Sequence, residues 1–177
     1  MSNSLAKSVF SLTAVNDKKL VLDLVEASVF AETHGLFITA QIAEDIAASR
    51  REALKNNGRV ELRSDAIIRL TRAFSGSCYI EQSQFAHIIG EIIDLFYYIK
   101  NETENIVSDD DLISEMLETF DETCHGDIEN MQSKGLEKIL RRVKFGDEKI
   151  WSDYENHGRD DLYTRKELYE HEETWRE

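Results

Sequence analysis

The chain has 177 residues, of which 41% are apolar and 32% charged, and its formal net charge is -14. That length carries one domain with a real core and is short for two; the excess of acid argues against a surface made for phosphate backbones or anionic lipid. Proline is absent, which removes the usual breaker of helix interiors and suits helices joined by glycine or asparagine turns.

In chain order, the first predicted helix runs from Asp17 to Thr33, with Leu20, Val21, Leu24, Val25 and Val29 on one wide face and Gly35 as its stop. Thr39 is an N-cap for a second helix carrying Ile42, Ile46, Ala47 and Leu54 and ending at Asn56-Asn57-Gly58. Val60-Glu61-Leu62 is a short extended piece. Ser64-Asp65 opens a third helix with Ile67, Leu70, Thr71 and Phe74 on one side, closed by Gly76. From Gln82 to Lys100, Phe85, Ile88, Ile89, Ile92, Ile93, Phe96 and Ile99 follow steps of three and four, the pattern of a central core helix. Ser108 caps the next helix, whose first turn is Asp109-Asp110-Asp111; carboxylates there face the positive end of the helix dipole. Ile113, Met116, Leu117, Phe120 and Cys124 form its stripe, and Gly126 ends it. Asp127 caps a last stretch through Ile128, Met131, Leu136, Ile139, Leu140 and Val143, with Gly135 weakening or breaking its middle.

The expected fold is therefore all-α, a compact bundle of about six helices over residues 1–146, followed by an acidic, aromatic helical arm over 147–177. The arm holds Trp151, Trp175, Tyr154, Tyr163 and Tyr169, with eleven acids against five bases. Charge is split elsewhere too. Asp45 to Ile80 holds seven bases and four acids, whereas Glu81 to Asn130 holds fourteen acids and only Lys100. Neighbouring helices that neutralise one another account for this split, and so does a partner of opposite charge.

Motifs with chemistry are weak. Glu122-Thr123-Cys124-His125 supplies half of a helical di-iron motif, but no second Glu-x-x-His exists. His87, Glu91 and Asp94 share the polar side of the central helix, where an i,i+4 pair is the plain reading. Asp109 to Asp111 fail the calcium-loop spacing because Ile113 and Ser114 fill the fifth and sixth places. Ala40 to Phe74 imitates a helix-turn-helix with too long a connection. Cys78 is an expected exposed thiol and Cys124 a buried one, with no disulfide; the eight glycines hold no phosphate-binding or nucleophile-elbow motif. No apolar run nears the roughly 20 residues of a membrane helix, and residues 1–12 lack a signal peptide's apolar segment; the expected location is cytoplasmic.

Ser49-Arg50-Arg51-Glu52-Ala53-Leu54, Gly58-Arg59-Val60-Glu61, Phe96-Tyr97-Tyr98-Ile99-Lys100-Asn101-Glu102 and Ser108-Asp109-Asp110-Asp111-Leu112-Ile113 resemble an uncharacterised bacterial family of about this length. The resemblance spans Gly35 to Leu140 and implies an all-helical fold without an assigned activity; His125 and the residues after Gly146 depart from its pattern. The expected function is a non-enzymatic interaction or adaptor protein, binding a protein partner or itself as a homo-oligomer, with Trp151, Tyr154, Trp175, Arg50 and Arg51 as candidate contacts. No nucleic acid, membrane, metal or cofactor is expected. The rival readings are an enzyme or metal protein with a site assembled from distant residues, and an acidic mimic of nucleic acid.

Overall fold

The computed structural model describes residues 16–145, and these are helical without a β-strand. A helix over residues 16–26 (α1) is followed by α2 (Ser28–Glu32), α3 (Ala40–Asn56), α4 (Asp65–Phe74), α5 (Phe85–Glu102) and α6 (Asp109–Glu118). A π-helical turn, Thr119–Thr123, leads to α7 (Ile128–Asn130), a second π-helical turn, Met131–Gly135, and α8 (Leu136–Phe145). By packing the chain divides into two units, residues 1–140 and 141–177; of the second, only the end of α8 is described. Among the described residues no helix is long and apolar enough to cross a membrane.

Local chemistry sets the ends. Thr39 is extended and its hydroxyl accepts the Ile42 N–H at 3.3 Å, starting α3. Ser108 does the same for Asp111 at 3.2 Å while donating its own proton to the Asp111 carboxylate at 2.6 Å, and Asp127 caps α7 by accepting from Asn130 N–H at 3.0 Å. Each of these caps satisfies a backbone donor that the helix itself leaves open. Ser64 acts differently: its carbonyl, not its hydroxyl, receives Ile67 and Ile68 N–H.

α5 is the axis of the core. Every residue of its predicted stripe is buried, and Leu95, Tyr97 and Lys100 join them, so its apolar surface wraps most of the helix. α3 makes the most extensive contact with it. Gly90 permits that approach: a Cβ there would stand 2.7 Å from Ser49 Oγ. α4 and α6 pack together, and in the π turn that follows α6 the Phe120 ring lies 5.6 Å from that of Phe74, tilted.

Two expectations need correction. The first helix is interrupted at Ala27, and Val25 and Val29 lie outside the core; Ala31 takes the inner position instead. The stretch after Asp127 is not broken at Gly135. It widens into a π turn, closed by Leu136 N–H donating to Met131 O, because the missing side chain leaves room for sulfur: a Cβ at Gly135 would stand 2.8 Å from Met131 Sδ and 3.0 Å from Cys124 Sγ. Val60 to Leu62 has no strand partner among the described residues, and its backbone oxygens serve side chains instead.

Candidate functional site

Two surfaces stand out, one charged and one apolar. The charged one is a cleft of about 540 Å³ lined by Glu61, Leu62, Arg63, Asp65, Ala66, Arg69, Lys100 and Asp109. Behind it lies Arg50, 2% exposed, whose guanidinium donates to the carbonyls of Glu61 and Arg63 at 2.9 and 3.1 Å and sits 3.7 Å from Asp17. Lys100, reaching up from α5, is 2.7 Å from Asp109 and 3.5 Å from Glu61. Arg69 of α4 meets Asp110 at 2.6 Å and Asp109 at 3.5 Å. Arg59 spans Glu61, Asn101 and Asn105, and its guanidinium lies 5.9 Å from the centre of the Tyr97 ring.

The Tyr97 phenol is fully buried beside the Arg50 guanidinium without hydrogen-bond alignment to it. Burial pushes its pKa up to about 12, against the pull of the Arg50 charge, while Glu61 adds to the rise. At the exposed edge of the cleft, the hydrogen bond from Arg63 holds Asp65 below the usual carboxylate range. Arg50, Arg59, Arg63, Arg69 and Lys100 are each opposed by an acid, so the cleft is a brace that joins the 57–64 connection to α4, α5 and α6. Of the seven bases between Asp45 and Ile80, Arg72 is the one without an ion pair among the described residues: it lies 3.8 Å over the Phe30 ring. Most bases of this stretch are thus opposed within the chain, and from the acidic run Asp109 and Asp110 take part.

The apolar surface is on α1 and α2. Leu20, Leu24 and Ala31 face inward, whereas Leu22, Val25 and Val29 are 63%, 37% and 64% exposed. Docking of α1 settles which side points out. Asn16 Nδ2 donates to Leu62 O, and Asp17 meets Arg51 at 3.2 Å and Arg50 at 3.7 Å. Beside Leu22 runs an open groove of about 650 Å³ whose apolar wall is Val21, Leu22, Ala47 and Ala48. Its polar rim includes Asp17, Lys18, Gln41, Glu44, Asp45 and Arg51. Phe37 also faces solvent, its backbone clamped by Gln82, which accepts from Phe37 N–H at 2.6 Å and donates to Phe37 O at 3.1 Å.

Among the sequence candidates, Arg50 and Arg51 part company: Arg50 is an internal brace, and Arg51 stands at the groove, largely exposed. Trp151, Tyr154 and Trp175 lie outside the described residues. His87 sits 3.9 Å from Glu91 on an exposed face, and Glu91 accepts from Gln132 at 2.6 Å. His125, in left-handed backbone after the first π turn, has its ring 6.3 Å from that of Tyr79. Cys124 is buried against Met131, where burial pushes its thiol pKa up, and Cys78 is exposed. No group of three or more metal-ligating side chains is gathered among the described residues. Residues 57–64 separate α3 from α4, longer than a helix-turn-helix allows.

The outward stripe was missed in the sequence because Val25 and Val29 share the spacing of the inward residues. The available signal was Lys18 and Lys19 beside Leu22, a polar setting for an apolar face. No curated protein and no solved structure matches the chain. Residues 23–149 match the model of a family of unknown function, DUF6323, and the chain belongs to that family.

Proposed function

We propose that this member of a family without an assigned activity is a non-enzymatic protein-interaction module that works through the outward face of α1 and α2. The observation that carries this reading is the exposure of Leu22, Val25 and Val29 in one line along a docked helix pair. Apolar side chains scattered singly on a surface need no explanation, but a contiguous set bordered by charge marks a place where another chain is covered. The adjoining groove extends the apolar wall onto α3. Support also comes from the charged cleft, whose internal pairing leaves it suited to holding the fold together.

The test is site-specific photo-crosslinking in cells, with the reactive group at Val29 and, as a control, at exposed Ser133. Protein adducts at position 29 that vanish with Leu22→Asp support the reading. Equal adducts at both positions, or none at position 29, overturn it.

A further inference from the structure

The exposed residues of α1 and α2 fall in a regular register. Lys18, Leu22, Val25, Val29 and Glu32 are spaced by four, three, four and three residues, the seam of a two-stranded coiled coil. Ala27 does not destroy the line. Its backbone stays right-handed (φ -74°, ψ -6°), its N–H still reaches Asp23 O at 2.9 Å, and Phe30 N–H reaches back to Ala27 O at 3.1 Å, so the path tightens by one turn without ending. The seam is also self-complementary. Lys18 lies seven residues before Val25 and Glu32 seven residues after it. A copy turned end over end about Val25 sets Lys18 against Glu32 at both ends and stacks Leu22 beside Val29. A parallel copy would set lysine on lysine and glutamate on glutamate.

We infer that the occupant of this face is a second copy of the same chain, docked antiparallel about a two-fold axis through Val25; this rests on the interaction reading above and names its partner. The contact is isologous, so one patch serves both copies and the assembly closes at two. Three apolar residues from each side make a small interface, below the size of a permanent one, so association is concentration-dependent. End charges contribute most to orientation, because the wrong arrangement brings like charges together.

The experiment is the native mass of the full chain, by sedimentation or light scattering, across about a hundredfold range of concentration. The mass should rise from 20.4 kDa toward twice that value. Lys18→Glu and Glu32→Lys should each weaken association by about tenfold or more, and the double swap should restore it to within about threefold of the original. Circular dichroism on each variant shows that the helices remain. A mass fixed at one copy throughout, or a double swap no better than the single changes, overturns the inference. Crosslinks at Val29 to other proteins, with a purified chain that stays monomeric, sink the second copy and leave the interaction reading standing.

Discussion

α5 and the α1–α2 pair carry the same kind of sequence signal and meet opposite fates. Both show apolar residues at helical spacing. In α5, Phe85, Ile88, Ile89, Ile92, Ile93, Phe96 and Ile99 are all buried, with α3 pressed against them at Gly90. In α1 and α2, apolar residues occupy more than half of the circumference, and the core covers only Leu20, Leu24 and Ala31. Periodicity thus predicts a helix and an apolar face; how much of that face is covered depends on what docks on it. For α1, Leu20 and Leu24 enter the core and polar contacts through Asn16 and Asp17 fix the same side, which leaves Leu22, Val25 and Val29 outside.

The sharpest way to test this contrast is to trim one apolar side chain in each region. Ile92→Ala should cost on the order of 2 to 5 kcal/mol, because it opens a cavity in a filled core. Val29→Ala should stay within about 0.5 kcal/mol in the monomer, where the side chain is already in water. Chemical denaturation of dilute protein measures both, and comparable losses would erase the distinction.

A second contrast appears at high pH. The Tyr97 phenol is neutral when protonated, and folding raises its pKa from the ordinary 10.0 to about 12. Its contribution is therefore complete below pH 10 and is lost as pH climbs through 12, in total on the order of 3 kcal/mol. Tyr97→Phe should remove this alkaline loss while changing stability little at pH 7, since the hydroxyl has no hydrogen bond to forfeit. Denaturation at pH 7 and pH 11 decides it; an unchanged alkaline limb would place the titrating group elsewhere.

A third contrast concerns the α3–α5 crossing. Gly90→Ala should destabilise by about 1 to 3 kcal/mol, since its Cβ would meet Ser49 Oγ at 2.7 Å and, where rotating the hydroxyl gives no relief, Ser49 Cβ at 3.2 Å. Ser49→Gly in the same chain should recover part of that loss. A stabilising Gly90→Ala would mean that the two helices can move apart freely.

Legibility in the sequence followed the range of the interaction. The caps at Thr39, Ser108 and Asp127 and the α5 stripe depend on residues within a turn or two, and their patterns were readable. The brace was not. Arg50 finds carbonyls at positions 61 and 63, Lys100 joins Glu61 to Asp109, and Arg69 reaches α6; only the assembled fold brings these together. Arg50 and Arg51 are neighbours in sequence with opposite surroundings, a difference set by which side of α3 meets the 57–64 connection. The second π turn was hidden as well, because the gap at Gly135 is filled by sulfur atoms from two segments. The seam on α1 and α2 was present in the spacing, yet only the docked structure separates it from the buried face.

The Gln82 clamp on Phe37 has a bearing on kinetics. Both backbone polar groups of Phe37 are engaged by one side-chain amide, so the half-exposed ring is carried on a fixed strut. Ordering a loop residue ordinarily costs a binding partner about 1 to 2 kcal/mol. Here folding has already met that cost, so a complex that seats the ring would gain chiefly in residence time, its rate of departure falling while its rate of encounter stays nearly constant.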